Sequence, residues 1–277
     1  MQLFGRQVVL QIGVAGTVGK SITGLRMRFK VDYSRTSDPH TATITVYNLS
    51  LASYAMLQQR LAIVRVLAGY TVPLQVFVGN PIKDGLSRER QGPDWVTTIQ
   101  AQDGGRALGE TRVEISFTTS TTMYQVYSVL LAAMGIPQGS VSADVISQLS
   151  AVQLTQGFVY SGPAQPLLHR IALSIGADGF VSDGALQIVP RDGALLDPAP
   201  IFSTTTRNLI GNPIRRADGK VEITALLDAG MRPGRRFIVQ SREINGTFTA
   251  EDVTQEGDSG GWEKPFYTHL VGRPLAA

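Results

Sequence analysis

Cysteine is absent from the 277 residues. That absence removes disulfides, thiolate metal sites and cysteine nucleophiles together, and it suits a chain that assembles in a reducing compartment. Histidine is scarce: His40, His169 and His269 leave little material for metal or acid–base chemistry. No run approaches the roughly 18 consecutive apolar residues that a membrane helix requires. The start, Met1 to Leu10, lacks the basic-then-apolar order of a secretion signal. The expectation is therefore a chain that folds in the cytosol and does not insert into a membrane. Concentrated charge is missing as well, because a net +3 is spread over 25 basic and 22 acidic residues, short of the patch that marks a nucleic-acid reader. Aromatics make up only 7%, and Trp95 and Trp262 stand apart from the basic cluster Arg232, Arg235, Arg236. A β-barrel binding oligosaccharide or nucleic acid would set exposed aromatics beside its basic side chains.

What is present is alternation. Apolar and charged residues alternate strictly from Leu25 to Asp32, the period-two signature of a strand with one wet face. Thr41 to Tyr47 repeats it, with Ala42, Ile44 and Val46 on one face and threonines on the other, so the two runs are expected to pair. Asn48-Leu49-Ser50 then breaks the pattern, and Ser50 is placed to cap a short helix through Leu57. Strands are expected at Ile63 to Leu67, Leu74 to Val78 and Trp95 to Gln102. The polar stretch Asn80 to Asp94, rich in Gly and Pro, reads as a long exposed loop.

From about Gly104 the pattern turns mixed, with a strand at Val113 to Phe117 and a helix at Met123 to Met134 stopped by Gly135 and Pro137. A second helix fits Ala164 to Ile175. Phe180 to Val189 is expected to form a hairpin around Asp183-Gly184. Strands return at Lys220 to Thr224, Arg235 to Ser241, Thr247 to Thr254 and Phe266 to Val271, with Asn245-Gly246 as a hairpin turn. The fold class is mainly β, of α+β type, and the first and last thirds echo each other in their order of features, with Trp95 and Trp262 in matching places.

Two stretches imitate catalytic motifs. Gly257-Asp258-Ser259-Gly260-Gly261 reproduces the nucleophile surroundings of trypsin-like proteases, but Ser259 would need a histidine base and an orienting aspartate, and His40 sits in Asp38-Pro39-His40-Thr41, the wrong context. Gly16-Thr17-Val18-Gly19-Lys20-Ser21 resembles a phosphate loop. That motif requires a glycine where Val14 stands and a helix directly after it, whereas an alternating strand follows. His169 lies in the helical run Leu167 to Ile171 and has no partner. Asp103, Asp178, Asp183 and Asp192 sit beside glycines, where aspartate stabilises turns, and Arg232, Arg235 and Arg236 surround a Pro-Gly turn, a solvated position or a subunit salt bridge. The expected assignment is no catalytic, cofactor-binding or metal-binding residue.

Several stretches together resemble the hub proteins of phage tails and baseplates and of related contractile injection machines. They are Gly24 to Val31, Ala42 to Ser50, Ala68-Gly69-Tyr70 with Val76 to Gly79, Gln100 to Gly104, Leu209 to Pro213, and Leu226-Leu227-Asp228 through Arg232-Pro233-Gly234. Ile244 to Phe248, Gly257-Asp258 and Trp262 complete the series. The resemblance implies two tail-tube-like β-barrel domains, 1–104 and 196–277, flanking a smaller α/β middle region, 105–195. It implies a non-enzymatic homotrimer whose six barrels form a pseudo-sixfold ring. Its partners would be the tail tube protein, a trimeric spike or tail-tip protein and the tape-measure protein, with DNA only in transit through the bore. The place would be the virion tail tip, assembled in the bacterial host cytoplasm. The sequence departs from fused relatives in carrying no lytic or spike segment before Ala277. The alternatives are a distal tail or tube-initiator protein, which would form a true hexamer, and a serine hydrolase using Ser259.

Overall fold

Alternating side chains fix the first elements. In the computed structural model, which describes residues 5–14, 17–195, 197–261 and 263–275, the N-terminal third comprises β1 (Gln7–Val14), β2 (Lys20–Ile22), β3 (Met27–Ser34), β4 (His40–Tyr47), α1 (Leu51–Leu57), β5 (Ala62–Gly69), β6 (Leu74–Gln91) and β7 (Asp94–Asp103). Along β3, Met27, Phe29, Val31 and Tyr33 face the core while Arg28, Lys30 and Asp32 face water. β4 pairs with it antiparallel, Phe29 opposite Ile44 and Val31 opposite Ala42. The Ser50 hydroxyl accepts from the Ser53 amide at 3.2 Å, so α1 starts where a hydroxyl satisfies an otherwise orphaned donor.

The expected loop at Asn80 to Asp94 is instead the second half of β6. Arg88 to Gln91 pair with Asp94 to Thr97, and a register shift between Pro81 and Leu86 absorbs the prolines and glycines that suggested a loop. Charged residues and Pro are compatible with a strand whose far side is an edge, and the turn proper shrinks to Gly92 (φ 60°) and Pro93. Asn245-Gly246 is likewise no turn. Both residues lie in β17 (Asn245–Asp258), opposite Gln240 and Val239 of β16 (Arg236–Gln240), and the chain reverses over Ser241 to Ile244, where the Ser241 hydroxyl donates to the Ile244 carbonyl at 2.8 Å.

The middle region contains a π-helical turn (Arg106–Glu110), β8 (Arg112–Phe117), α2 (Met123–Met134), β9 (Gln138–Val141), α3 (Ala143–Ala151), β10 (Phe158–Pro163), α4 (Ala164–Ser174), β11 (Ala177–Ser182) and β12 (Ala185–Pro190). Thr122 and Gln125 close a reciprocal capping box on α2, and Gly135 (φ 63°) ends it. Asp183 (φ 54°) and Gly184 (φ 75°) make the two-residue turn between β11 and β12, as the sequence predicts. The region has its own core, built on Tyr127, Leu130, Leu149, Leu168 and Ile171.

The C-terminal third adds β13 (Ile201–Ser203), β14 (Leu209–Arg215), β15 (Val221–Leu226) and β18 (Phe266–Pro274) to β16 and β17. Its strands and those of the first third share one apolar cluster and one 13-stranded sheet among the described residues. The order within that sheet repeats. The first third runs β3-β4-β7-β6-β5-β1 and the last third runs β14-β15-β18-β17-β16-β13. The two differ at the end of the series, where β1 is antiparallel to β5 but β13 is parallel to β16. The mainly β architecture around an α/β middle region is thus present, and the echo in the sequence is an echo of topology. Trp262, the expected counterpart of Trp95, lies outside the described residues.

Candidate assembly interface

The repeat meets itself in one place. The second half of β17 leaves β16 and pairs antiparallel with β3, Asp252 to Asp258 against Ser34 to Arg28. This seam joins the two β units through main-chain hydrogen bonds, and side chains then lock it. Asp258, 1% exposed, bridges Arg26 at 3.1 Å and Arg28 at 3.3 Å and also accepts from the Gly260 amide at 2.7 Å. Burial pushes the Asp258 carboxyl up, but the Arg26 hydrogen bond, the Gly260 amide and the Arg28 charge outweigh burial and hold it below the ordinary carboxylate value. On the outer face the Thr254 hydroxyl donates to Asp32 at 2.7 Å. Beneath, Phe29 meets Phe266 edge to face with centroids 6.3 Å apart.

The protease look-alike is part of this seam. The Ser259 hydroxyl accepts from the Met27 amide at 2.9 Å and lies 3.4 Å from the Leu25 carbonyl, so its oxygen is occupied in holding the end of β3. No histidine is among its hydrogen-bond partners. His40 is buried against Tyr33 and Phe180, and His269 contacts Thr224 and Glu256. The nucleophile therefore lacks the base that would activate it. In the phosphate-loop look-alike, Gly16 lies outside the described residues, and Lys20 and Ser21 belong to β2, paired with Ile12 and Gln11. The next element in the chain is β3, not the helix that a phosphate loop needs. His169 is exposed on α4.

A second junction ties the middle region to both β units. Arg232, expected at a solvated turn or a subunit salt bridge, is instead buried. Its guanidinium pairs with Asp183 at 2.9 Å, donates to the Ala229 and Met231 carbonyls at 2.8 Å and to the Gln75 carbonyl at 3.0 Å, and stacks over the Tyr33 ring. The aspartates expected to stabilise their own turns also reach across the fold. Asp103 accepts from the Gly184 amide at 3.1 Å, Asp178 pairs with Arg35 and Arg191, and Asp192 lies 3.6 Å from Arg273. Burial, and next the nearby Asp183 charge, push the Asp103 carboxyl up to about 7, and burial pulls the His40 imidazole down to about 4. Arg235 joins Asp197 at 2.9 Å. The basic cluster is thus committed to internal carboxylates and carbonyls.

Neither junction was legible as a site in the sequence. The residues that meet are more than 200 positions apart at the seam, and the one available signal was the alternation that puts Arg26 and Arg28 on the same face.

No family model matches the sequence, and no curated protein matches it. Solved structures do match in shape. A 43 kDa tail protein of prophage MuSo2 from Shewanella oneidensis superposes with a TM-score of 0.67 at 11% identity, covering 98% of this chain and 97% of its own. A tail protein from Neisseria meningitidis MC58 gives 0.64 at 13% identity, covering 97% and 96%. This chain has the fold of a phage tail protein. The E. coli c3393 protein, a type VI secretion component described as structurally similar to the T4 tail proteins gp27 and gp5, gives 0.59 at 10% identity over 96% of this chain and 77% of its own. At such identities the likeness lies in backbone topology.

Proposed function

We propose that the chain is a structural hub subunit of a phage tail tip or baseplate. It consists of a first tube-like β unit (1–104), an α/β middle region (105–195) and a second β unit (196–277). The observation that carries this reading is the duplicated strand order, β3-β4-β7-β6-β5-β1 and β14-β15-β18-β17-β16-β13, fused through the β17–β3 seam. One chain that presents two like units converts a threefold arrangement of chains into a sixfold arrangement of units. A homotrimer of this chain would then match a sixfold tail tube on one side and a trimeric spike or tail-tip protein on the other. The tape-measure protein, and later DNA, would pass through its bore. Closure into a ring also protects sheet edges that would otherwise invite uncontrolled pairing. The role is non-enzymatic, and the place is the virion tail, after assembly in the host cytoplasm.

The test is the stoichiometry of the ring on tail particles, by native mass measurement and by cryo-electron microscopy of the tip. Three copies are expected. Six copies would overturn the hub and favour a distal tail or tube-initiator protein.

A further inference from the structure

The seam inside the chain leaves two free edges that its repeat ought to fill. β3 is covered by β17, but its counterpart β14 pairs only with β15, and the second half of β6, counterpart of the second half of β17, pairs only with β7 among the described residues. We propose that these edges pair with each other between copies, the distal half of β6 in one chain adding antiparallel to β14 in the next. This rests on the ring reading given above and names the strands and the register that close it.

The register follows from the repeat. Leu86 lies opposite Ile99 as Val253 lies opposite Leu270, each pair on the core side of its hairpin, which places Gln91 at the position of Asp258 and Glu89 at that of Glu256. Met27 lies opposite Val46 as Leu209 lies opposite Ala225, which places Ile210 at the position of Arg28. On the far side of the β14 irregularity, Lys30 opposite Thr43 corresponds to Ile214 opposite Glu222. The internal seam pairs Asp258 with Arg28 and Glu256 with Lys30. Between copies, Gln91 is then opposite Ile210, and Glu89 is opposite Ile214.

The two seams differ in one respect that the sequence explains. Where the internal seam sets Phe29 against Gly257, β14 carries three residues, Gly211 (φ 69°), Asn212 and Pro213, within its register shift. Gly and Pro in this place bend an edge strand away from indiscriminate partners. The seam between copies is therefore interrupted opposite Arg90 and divided into two short ladders, so it is weaker than the one within the chain. Ile214, 59% exposed in the single chain, becomes covered when the edges meet.

The absence of cysteine from the chain makes the test direct, because every disulfide comes from introduced residues. The variant Glu89→Cys/Ile214→Cys places two exposed positions opposite each other across the seam. The control Glu89→Cys/Arg215→Cys moves one partner to the other face of β14. Both are oxidised under mild conditions and read on non-reducing gels beside the mass of the native assembly. The expected result is that the monomer band of the first variant gives way to covalent dimers and closed trimers, while the control stays monomeric on the gel. A trimer by mass in which the first variant cross-links no more than the control overturns the seam and leaves the ring. A chain that stays monomeric by mass and without cross-links overturns both.

Discussion

The two β units carry the same strands in the same order, yet their edges are treated differently. The N-terminal unit has β3 covered by β17 and locked by Asp258 between Arg26 and Arg28, whereas in the C-terminal unit β14 pairs only with β15 among the described residues and is bulged at Gly211 to Pro213. Duplication of a fold within one chain thus does not duplicate its interfaces. One copy of the contact is formed as the chain folds, and its equivalent stays available for a neighbour. A strand edge is defined by what is paired to it, and two edges in equivalent places of the strand order can be core in one place and surface in the other.

The comparison is broken most severely at the junction that holds both units against the middle region. Arg232→Ala leaves the Ala229, Met231 and Gln75 carbonyls without their donor, while the exposed Asp183 keeps the Gln75 side chain, and the expected loss is about 2–4 kcal/mol of stability, read from the midpoint of urea unfolding. A variant that unfolds at the wild-type midpoint would show that the three regions are not held by this residue. At the seam itself, the equivalent positions Gly257 and Arg90 separate closed from open. A methyl group on Gly257 would come within 2.5 Å of the Phe29 ring, so Gly257→Ala is expected to cost about 1–3 kcal/mol. Arg90→Ala, on the exposed edge, is expected to stay within about 0.5 kcal/mol. Equal effects at the two positions would dissolve the contrast between the seams.

Acidity probes the junction in another way. The Asp103 carboxyl titrates at about 7 in the fold and near its ordinary value when unfolded, so the folded state holds the extra proton between those values and stability falls as pH rises through that window. His40, pulled down to about 4, works in the opposite sense between that value and its ordinary one near 6.5, and its effect fades over about one pH unit above it. From pH 6.5 to 8 His40 offsets about half of the Asp103 effect, which by itself costs the wild type about 0.8 kcal/mol. Asp103→Asn should abolish it, and a chemical-denaturation series in that range reads the difference. The end of the seam is probed at Ser259. Ser259→Ala removes the acceptor for the Met27 amide, at a cost of about 1 kcal/mol. Fluorophosphonate labelling should be absent both before and after the change, and labelling lost on substitution would restore a hydrolase.

The strands of the β units were readable wherever one face is wet. The alternation over Leu25 to Asp32 and Thr41 to Tyr47 placed β3 and β4, and Ser50, Gly135 and Asp183-Gly184 marked their helix and turn ends because capping and positive φ act over a few residues. The distal half of β6 was unreadable for the opposite reason. Its sequence is that of an edge, polar and interrupted, and only the ladder with β7 shows that it is a strand. Asn245-Gly246 misled in the same way, since a sequence with turn chemistry is drawn into β17 by pairing with β16. Aspartates beside glycines read as local turn formers, but Asp103 and Asp183 serve contacts made by Gly184 and Arg232 from distant segments.

From its own order of residues the chain determined which segments alternate, where helices begin and end, and which chemistries lack the necessary groups, because these depend on neighbours a few positions away. Tertiary structure alone decided that Ser259 and Asp258 clasp β3, that Arg232 is buried among three regions, and that the distal half of β6 and β14 each keep an open edge among the described residues. Those outcomes depend on main-chain hydrogen bonds between strands far apart in the chain, and a hydrogen-bonding edge carries no side-chain pattern that announces its partner.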